Sequence, residues 1–298
     1  MGPGSLGWLL KELARRARAR LRDYVPDRVI LARRYRRTFG CPLNLRNPQT
    51  FNEKIYWMML YYRPPLATTV ADKYAVRAYV ADRVGPHILN ELYGVWDRAA
   101  DIDFDALPDA FALKVNWGWR MNILCPRKAD LDVPATRARL TEWMRRSHYW
   151  TNREWAYKNI RPRIIGERLL VDSALITPTE YSLFCFAGEP RFLRAQRDRA
   201  THLTSDTFDL NWEVPPFVIY RPNAGRVVTR PSNFDEMVTC ARRLSAGWPF
   251  VRVDLYEVDG RTVFGELTLY PGAGGNRFIP PEYHRHWGDV LQLPEPQW

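Results

Sequence analysis

Residues Val251 to Gly275, VRVDLYEVDGRTVFGELTLYPGAGG, constrain the fold more than any other stretch of the chain. Val251, Val253 and Leu255 alternate with Arg252, Asp254 and Tyr256, the two-residue period of a strand with one buried face. Past Asp259-Gly260 the alternation resumes, with Val263, Gly265, Leu267 and Leu269 set against Phe264, Glu266 and Thr268. The turn decides the register. A two-residue Asp-Gly turn pairs Asp254 with Gly265 and mixes the faces. A three-residue loop, Asp259-Gly260-Arg261, pairs Asp254 with Glu266 and Arg252 with Thr268 and keeps one face apolar. The expectation is the three-residue loop.

That register opposes two carboxylates directly across a strand pair, which like charge disfavours. At ~4 Å and an effective dielectric near 20 the repulsion is about 4 kcal/mol, against a typical total stability of ~5–15 kcal/mol. A shared proton, the neighbouring Arg252 or a divalent cation would each offset it, and oxygen ligands beside a phosphate suit magnesium. An ordinary hairpin with two solvated acids is the plain alternative.

Basic residues exceed acidic ones by 44 to 33, a net charge of +11 with a pI near 9.7. The partner implied is anionic: a nucleotide, an acidic polymer, a nucleic acid or an anionic lipid surface. At 298 residues, 46% hydrophobic and 13% aromatic, the chain is globular and long enough for one large domain or two lobes. Cys41, Cys125, Cys185 and Cys240 are widely spaced with no CxxC pair, which reads as reduced thiols of a cytoplasmic protein. No apolar run is long enough for a membrane span, and no secretory signal is expected.

Residues 6–24 pattern as a basic amphipathic helix, with Leu6, Leu10, Leu13, Ala17 and Leu21 on one stripe. Such a helix can lie on an anionic membrane or dock on its own protein. A second basic run, Arg33 to Arg37, precedes Cys41-Pro42. In NPQTFNEKI, Thr50 and Glu53 form a capping-box pair opening a helix that stops before Pro64-Pro65. A further helix is expected from Thr69 to about Arg83. It places Lys73 in a first turn, where the helix dipole calls for solvent or an anion beside it. Lys114 sits inside the apolar strand Phe111–Val115, before the hairpin Asn116-Trp117-Gly118-Trp119-Arg120. A strand is expected over Arg163–Val171, then Glu180–Phe186 returning through Phe192–Arg199, and a helix near Phe234–Leu244.

Laid out in order, NPQTFNEKI, DKYAVRAYV, FALKVN, REWAYKNIRPRIIGERLL, EYSLFCFAGEP, TFDLNW and RVDLYE…GELTLYPG resemble the ATP-grasp superfamily, in its teichuronopeptide-biosynthesis (TupA-like) branch. The resemblance runs from about Asn47 to Pro294. It implies an α+β fold, two lobes of antiparallel sheets and helices enclosing a nucleotide cleft. Residues 1–46 would form a basic helical segment, 47–107 a helical lead-in, 108–170 the small lobe and 171–298 the large lobe. ATP and Mg2+ are the implied cofactors, and the implied reaction is amide formation from a carboxylate and an amine through an acyl phosphate.

By resemblance, Lys73 lies near the α-phosphate and Lys114 on the α- and β-phosphates. Glu167 and the Leu170 backbone meet adenine, and Glu180 takes the ribose hydroxyls. Asp254 and Glu266 hold magnesium, and Arg252, with Lys114, is catalytic, neutralising the acyl phosphate. Three positions depart from the pattern: Thr268 where the superfamily has Asn, the bulky Trp117-Gly118-Trp119-Arg120 in place of a small-residue loop, and Ser182 in place of a lysine. The partners implied are ATP, an acidic small molecule or polymer and an amine. The setting implied is cell-surface polymer synthesis in the cytoplasm, and the basic helix over residues 6–24 would allow peripheral contact at the inner membrane face.

Other constellations carry less. His284-Arg285-His286 has no third metal ligand at a suggestive spacing. Gly272-Ala273-Gly274-Gly275 is followed by no clear helix, so it is not a dinucleotide fingerprint, although Arg277 beyond it could meet a substrate carboxylate. Twelve scattered tryptophans with basic charge would also serve a single-stranded nucleic-acid binder, but no nucleic-acid motif accompanies them. A glycosyltransferase-like protein of polysaccharide synthesis is the other rival, distinguished by binding a nucleotide sugar and leaving ATP intact.

Overall fold

The structure, a computed structural model, describes residues 24–119, 121–171, 177–197, 203–225 and 228–296. The basic helix expected over residues 6–24 lies, apart from Tyr24, outside them. The run Arg33–Arg37 is helical, inside α1 (Asp27–Phe39), which ends at Gly40 with φ 78°. Helix α2 (Phe51–Tyr61) opens on the expected capping box, Thr50 accepting from the Glu53 amide and Glu53 accepting from the Thr50 amide.

The single helix expected from Thr69 is two. Helix α3 (Leu66–Ala71) stops at Asp72, and α4 (Val76–Arg83) begins three residues after Lys73. Asp72 Oδ1 accepts from the amides of Tyr74 and Ala75 at 2.8 and 3.2 Å, an Asx turn that competes with continued helix. Lys73 therefore sits in a turn and not in a helix.

Four strands form the first sheet: β1 (Leu92–Trp96), β2 (Phe111–Val115), β3 (Asn122–Cys125) and β4 (Ile164–Arg168), in the order β1-β4-β2-β3, all antiparallel. Helices α5 (Val133–Met144) and α6 (His148–Asn152) lie between β3 and β4 in sequence. Beneath this sheet Phe104, Phe111, Leu113, Leu140 and Ile164 make a small separate core.

The second sheet holds β5 (Glu180–Phe186), β6 (Glu189–Arg197), β7 (Thr204–Asp209), and, after the short β8 (Val218–Ile219) and α7 (Phe234–Ser245), β9 (Phe250–Val258) and β10 (Arg261–Thr268). Its order is β10-β9-β5-β6-β7, again antiparallel throughout. A two-stranded pair joins β8 to β11 (Phe278–Ile279), and α8 (Tyr283–Val290) closes the described chain.

The two faces of β5 go to different layers. Tyr181, Leu183 and Cys185 turn toward α7, with Trp212 wedged between Tyr181 and Phe234. On the other face, Phe184 and Phe186 join Phe192 and Phe250 in an aromatic floor under Phe51 of α2 and Trp287 of α8. The same face continues along β5 and β9 into Ser182, Glu180, Arg252 and Asp254. One sheet surface thus runs from aromatic packing into buried charge.

The β9–β10 hairpin reaches the expected pairing by a different route. Val258 pairs with Arg261, so the turn is the two-residue Asp259-Gly260, with φ 50° and 77°, as a type I′ hairpin requires. Phe264 pairs with Leu255, and the register then shifts at Gly265, so that Glu266 pairs with Asp254 and Thr268 with Arg252. Gly265 is the extra residue of a β-bulge; a Cβ there would lie 2.9 Å from the Asp254 carbonyl. The bulge also puts Phe264, not Val263, on the apolar face with Leu255 and Leu267.

Candidate active site

Asp254 and Glu266 face each other at the β9–β10 step, and Arg252 joins them. Arg252 Nε donates to Asp254 Oδ1 at 2.7 Å, and its Nη2 donates to Asp254 Oδ2, to Glu266 Oε1 at 3.2 Å and to Thr268 Oγ1 at 3.1 Å. Alternation places Arg252 two residues from Asp254 on the same strand face, so its guanidinium folds back along the sheet to chelate the carboxylate. Lys73 Nζ donates to Glu266 Oε2 at 3.2 Å from the far side. The repulsion between the acids is thus offset within the protein by two cations.

Asp254 is 1% exposed, and its carboxyl is pushed up to about 6. Burial is the main cause and the charges of Glu180 and Glu266 add to it, against the opposing pull of Arg252. Burial works against the charge of Arg252 itself, yet Asp254, Glu266 and Glu180 together raise its pKa above the ordinary arginine value. Glu180, on the same face, accepts from Tyr256 Oη at 2.6 Å and is buried.

A second network belongs to the first sheet. Lys114 Nζ donates to Glu167 Oε2 at 2.8 Å across the β2–β4 pairing. Arg77 Nη1, from α4, takes Glu167 Oε1 at 3.3 Å and reaches the Asn90 carbonyl at 2.7 Å through Nη2. The Glu167 carboxylate is held by two cations, and the backbone continues after β4 to half-buried Leu170.

The segment 72–77 ties the networks together. The Lys73 amide donates to the Asn116 carbonyl at 2.8 Å, just beyond β2, while its side chain reaches Glu266 in the other sheet. Four residues on, Arg77 turns to Glu167. Asn116 is fully buried and gives its amide to the Arg161 carbonyl while accepting from the Arg163 amide. Lys73, Arg252, Asp254 and Glu266 are one connected group, and Lys114 and Glu167 are another.

Sequence reasoning passed over Arg77 and Tyr157. Arg77 lies four residues after Lys73 in the same segment, and that spacing was a usable signal. Tyr157, in the 3₁₀ turn Trp155–Tyr157, has its hydroxyl raised well above the phenol value by burial, then by the charges of Glu154 and Glu266, so it stays protonated beside the acids.

The remaining candidates are structural. His284 Nε2 accepts from the Phe278 amide at 3.2 Å, so its Nδ1–H donates to Asn52 Oδ1 at 2.5 Å, and burial lowers its pKa. Asn52 in turn donates to the carbonyls of Gly274 and Asn276 at 2.8 and 2.7 Å, pinning the glycine loop to α2. Arg277 donates to the Thr38 carbonyl at the end of α1. Trp117 packs in the main core, while Trp119 is exposed. All four cysteines are free thiols, three of them buried.

For a divalent cation, the donors are two carboxylates and the Thr268 hydroxyl, hard oxygens of the kind magnesium takes. No group of three or more His, Cys, Asp or Glu among the described residues could hold a metal alone. The acids would hold magnesium only as a pair that further oxygen ligands complete, not as a cage.

The chain is α+β, with two larger antiparallel sheets that each carry a charged network toward one linking segment, and its family model is an ATP-grasp one. Residues 53–292 match the TupA-like ATPgrasp family, and the chain belongs to that family. Solved structures similar to it include D-alanine–D-alanine ligase from Bacillus anthracis, 14% identical with a TM-score of 0.38 over 67% of this chain and 57% of that one. The ATP-grasp ligase PsnB, complexed with a precursor variant, Mg and ADP, is 13% identical with a TM-score of 0.43 over 77% and 60%. The ADP complex of N5-carboxyaminoimidazole ribonucleotide synthetase is 10% identical, with a TM-score of 0.46 over 77% and 54%. This chain therefore spans little more than half the length of these enzymes, and a likeness this distant carries no argument about its activity. No curated protein matches the sequence. Among the described residues no helix is long and apolar enough to cross a membrane.

Proposed function

We propose that this chain is an ATP-dependent carboxylate–amine ligase. The observation that carries the reading is the opposed pair Asp254 and Glu266, chelated by Arg252 and met by Lys73 from the segment that also engages the first sheet. Facing acids with arginine and lysine around them suit phosphoryl transfer, where the protein positions groups and neutralises charge and need supply no covalent chemistry.

In this reading Lys73 and Lys114 exchange their glutamate partners for phosphate oxygens, and Glu180 and the backbone near Leu170 hold ribose and adenine. Asp254 and Glu266 would hold magnesium, which when bound neutralises phosphate charge. A carboxylate oxygen of the substrate attacks the γ-phosphorus and the bond to the β-phosphate oxygen breaks, giving an acyl phosphate and ADP. The amine nitrogen then attacks the carbonyl carbon, the phosphate leaves, and the amine gives up a proton. Arg252, already bonded to both acids, lies beside the phosphate as negative charge gathers there.

The basic balance of the chain favours an acidic acceptor, a uronate- or polyglutamate-like polymer or its precursor, in cell-surface polymer synthesis on the cytoplasmic side. The experiment is ADP and phosphate release over a panel of carboxylates and amines. Asp254→Asn and Glu266→Gln should abolish turnover while both variants stay folded. Normal turnover in either variant removes the metal assignment, and cleavage of a nucleotide sugar with ATP left intact transfers the protein to the glycosyltransferase class.

A further inference from the structure

The two acids begin a row that continues across the whole second sheet. Glu266 pairs with Asp254, Asp254 with Ser182, Ser182 with Arg194, and Arg194 with Thr207. Directly opposed residues share a face, so the row reads acid, acid, hydroxyl, guanidinium, hydroxyl over five strands. Ser182 is 0% exposed, and its Oγ has no hydrogen-bond partner. Arg194 is 6% exposed and donates through Nη2 to Gln196 Oε1 at 3.2 Å, along its own strand face. A buried hydroxyl without a partner costs stability and calls for an explanation, a ligand that it meets being one.

Strands lie about 4.8 Å apart, so the backbones of Asp254 and Arg194 stand about 10 Å apart with Ser182 midway between them. A tetrahedral anion over Ser182 would take the serine hydroxyl from below and the guanidinium from the β6 side. On the β9 side it would meet Arg252 and whatever cation the acids hold. In the ligase reading the group that a magnesium on these acids would help to transfer is the terminal phosphoryl, and its charge suits a second arginine.

We propose that Ser182 and Arg194 hold the transferred phosphoryl group, so that Arg194 makes the site prefer a nucleoside triphosphate to a diphosphate. This rests on the ligase reading above and adds to it two residues and a selectivity. Arginine suits this point because its planar fork makes more than one contact at once, with Gln196 Oε1 as one of them.

The test is calorimetric titration of the full chain, in magnesium, with ADP and with a non-hydrolysable β,γ-imido ATP analogue. Arg194→Gln should lower affinity for the analogue roughly 10- to 100-fold and leave ADP within about twofold. Arg194→Lys should recover part of the loss, and Ser182→Ala should lose several-fold for the analogue alone. ADP binding in each variant reports that the site is folded. Equal losses for both nucleotides, or none for either, would overturn the assignment. Failure of the unsubstituted chain to bind either nucleotide would instead sink the ligase reading beneath it.

Discussion

Replacing Arg252 by methionine keeps most of the side-chain volume and removes the cation that chelates Asp254. Breaking a buried pair by deleting one partner costs about 3–5 kcal/mol, and the Coulomb estimate for two charges ~4 Å apart at an effective dielectric near 20 gives about 4. Asp254, already raised to about 6, would rise further without its opposing arginine. A loss of that size raises the Asp254 carboxyl well above its present value in the folded variant.

The sign follows from proton counting. The folded state holds the proton more tightly than the unfolded chain, so stability is present at low pH and is lost as pH rises toward the folded value. Unsubstituted protein pays this only up to about pH 6, whereas the variant pays it up to its higher value. Between pH 5 and 7.5 the gap between the two should therefore widen by about 2 kcal/mol. Urea unfolding at both pH values, in metal-free buffer, measures it. Adding Asp254→Asn to Arg252→Met should flatten the dependence. A pH-independent gap, or a double variant as steep as the single one, would refute the reasoning.

Gly265→Ala should cost about 1–3 kcal/mol in urea unfolding, because the new methyl meets the Asp254 carbonyl and the Tyr256 ring, each at 2.9 Å. A neutral result would remove the bulge from the account of the register. His284→Leu should cost about 1–3 kcal/mol at pH 7.5 through the lost Asn52 and Phe278 hydrogen bonds. Because burial depresses the folded pKa of His284, its stabilisation is full above about pH 6.5 and fades as pH falls, so the gap to the variant should narrow at pH 5. Removing magnesium with a chelator should weaken ATP binding roughly tenfold or more and AMP binding hardly at all, read by titration. Equal weakening of both would argue against Asp254 and Glu266 as the metal pair.

The opposed acids were legible because one face of the hairpin had to be apolar, and that demand holds whichever turn the chain uses. The turn itself was misread for a local reason. Asp259-Gly260 is a good two-residue turn, and the compensating bulge shows in sequence only as a glycine inside a strand, a weak signal. Strand β5 was read to the residue, since alternation, aromatics and the Ala187-Gly188 turn agree there. Strand β7, TSDTFD, was passed over because its polar residues look like loop, although most are buried against the neighbouring strand. Nor could one-dimensional pattern show which cation meets which acid. Lys73 and Glu266 are 193 residues apart, and Arg77 and Glu167 are 90 apart.

That pairing explains why so much charge is tolerated in the interior. The ion pairs of the two sheets join four cations, Lys73, Arg77, Lys114 and Arg252, to three carboxylates, Glu167, Asp254 and Glu266. The group is nearly neutral, so it can fold without its ligand, and no charge in it lacks a counter-charge. Near-neutrality also means that a bare triphosphate gains little on entering, because each lysine it recruits abandons a glutamate. In the proposed function magnesium would change the balance by taking over the acids as the lysines left them, and the opposed pair is where that exchange would cost least, since the acids repel each other when Arg252 alone holds them. On this argument the segment 72–77 is the coupling element. Lys73 and Arg77 leave it toward different sheets, so in the proposed function rearrangement of one ion pair on nucleotide binding would bear on the other.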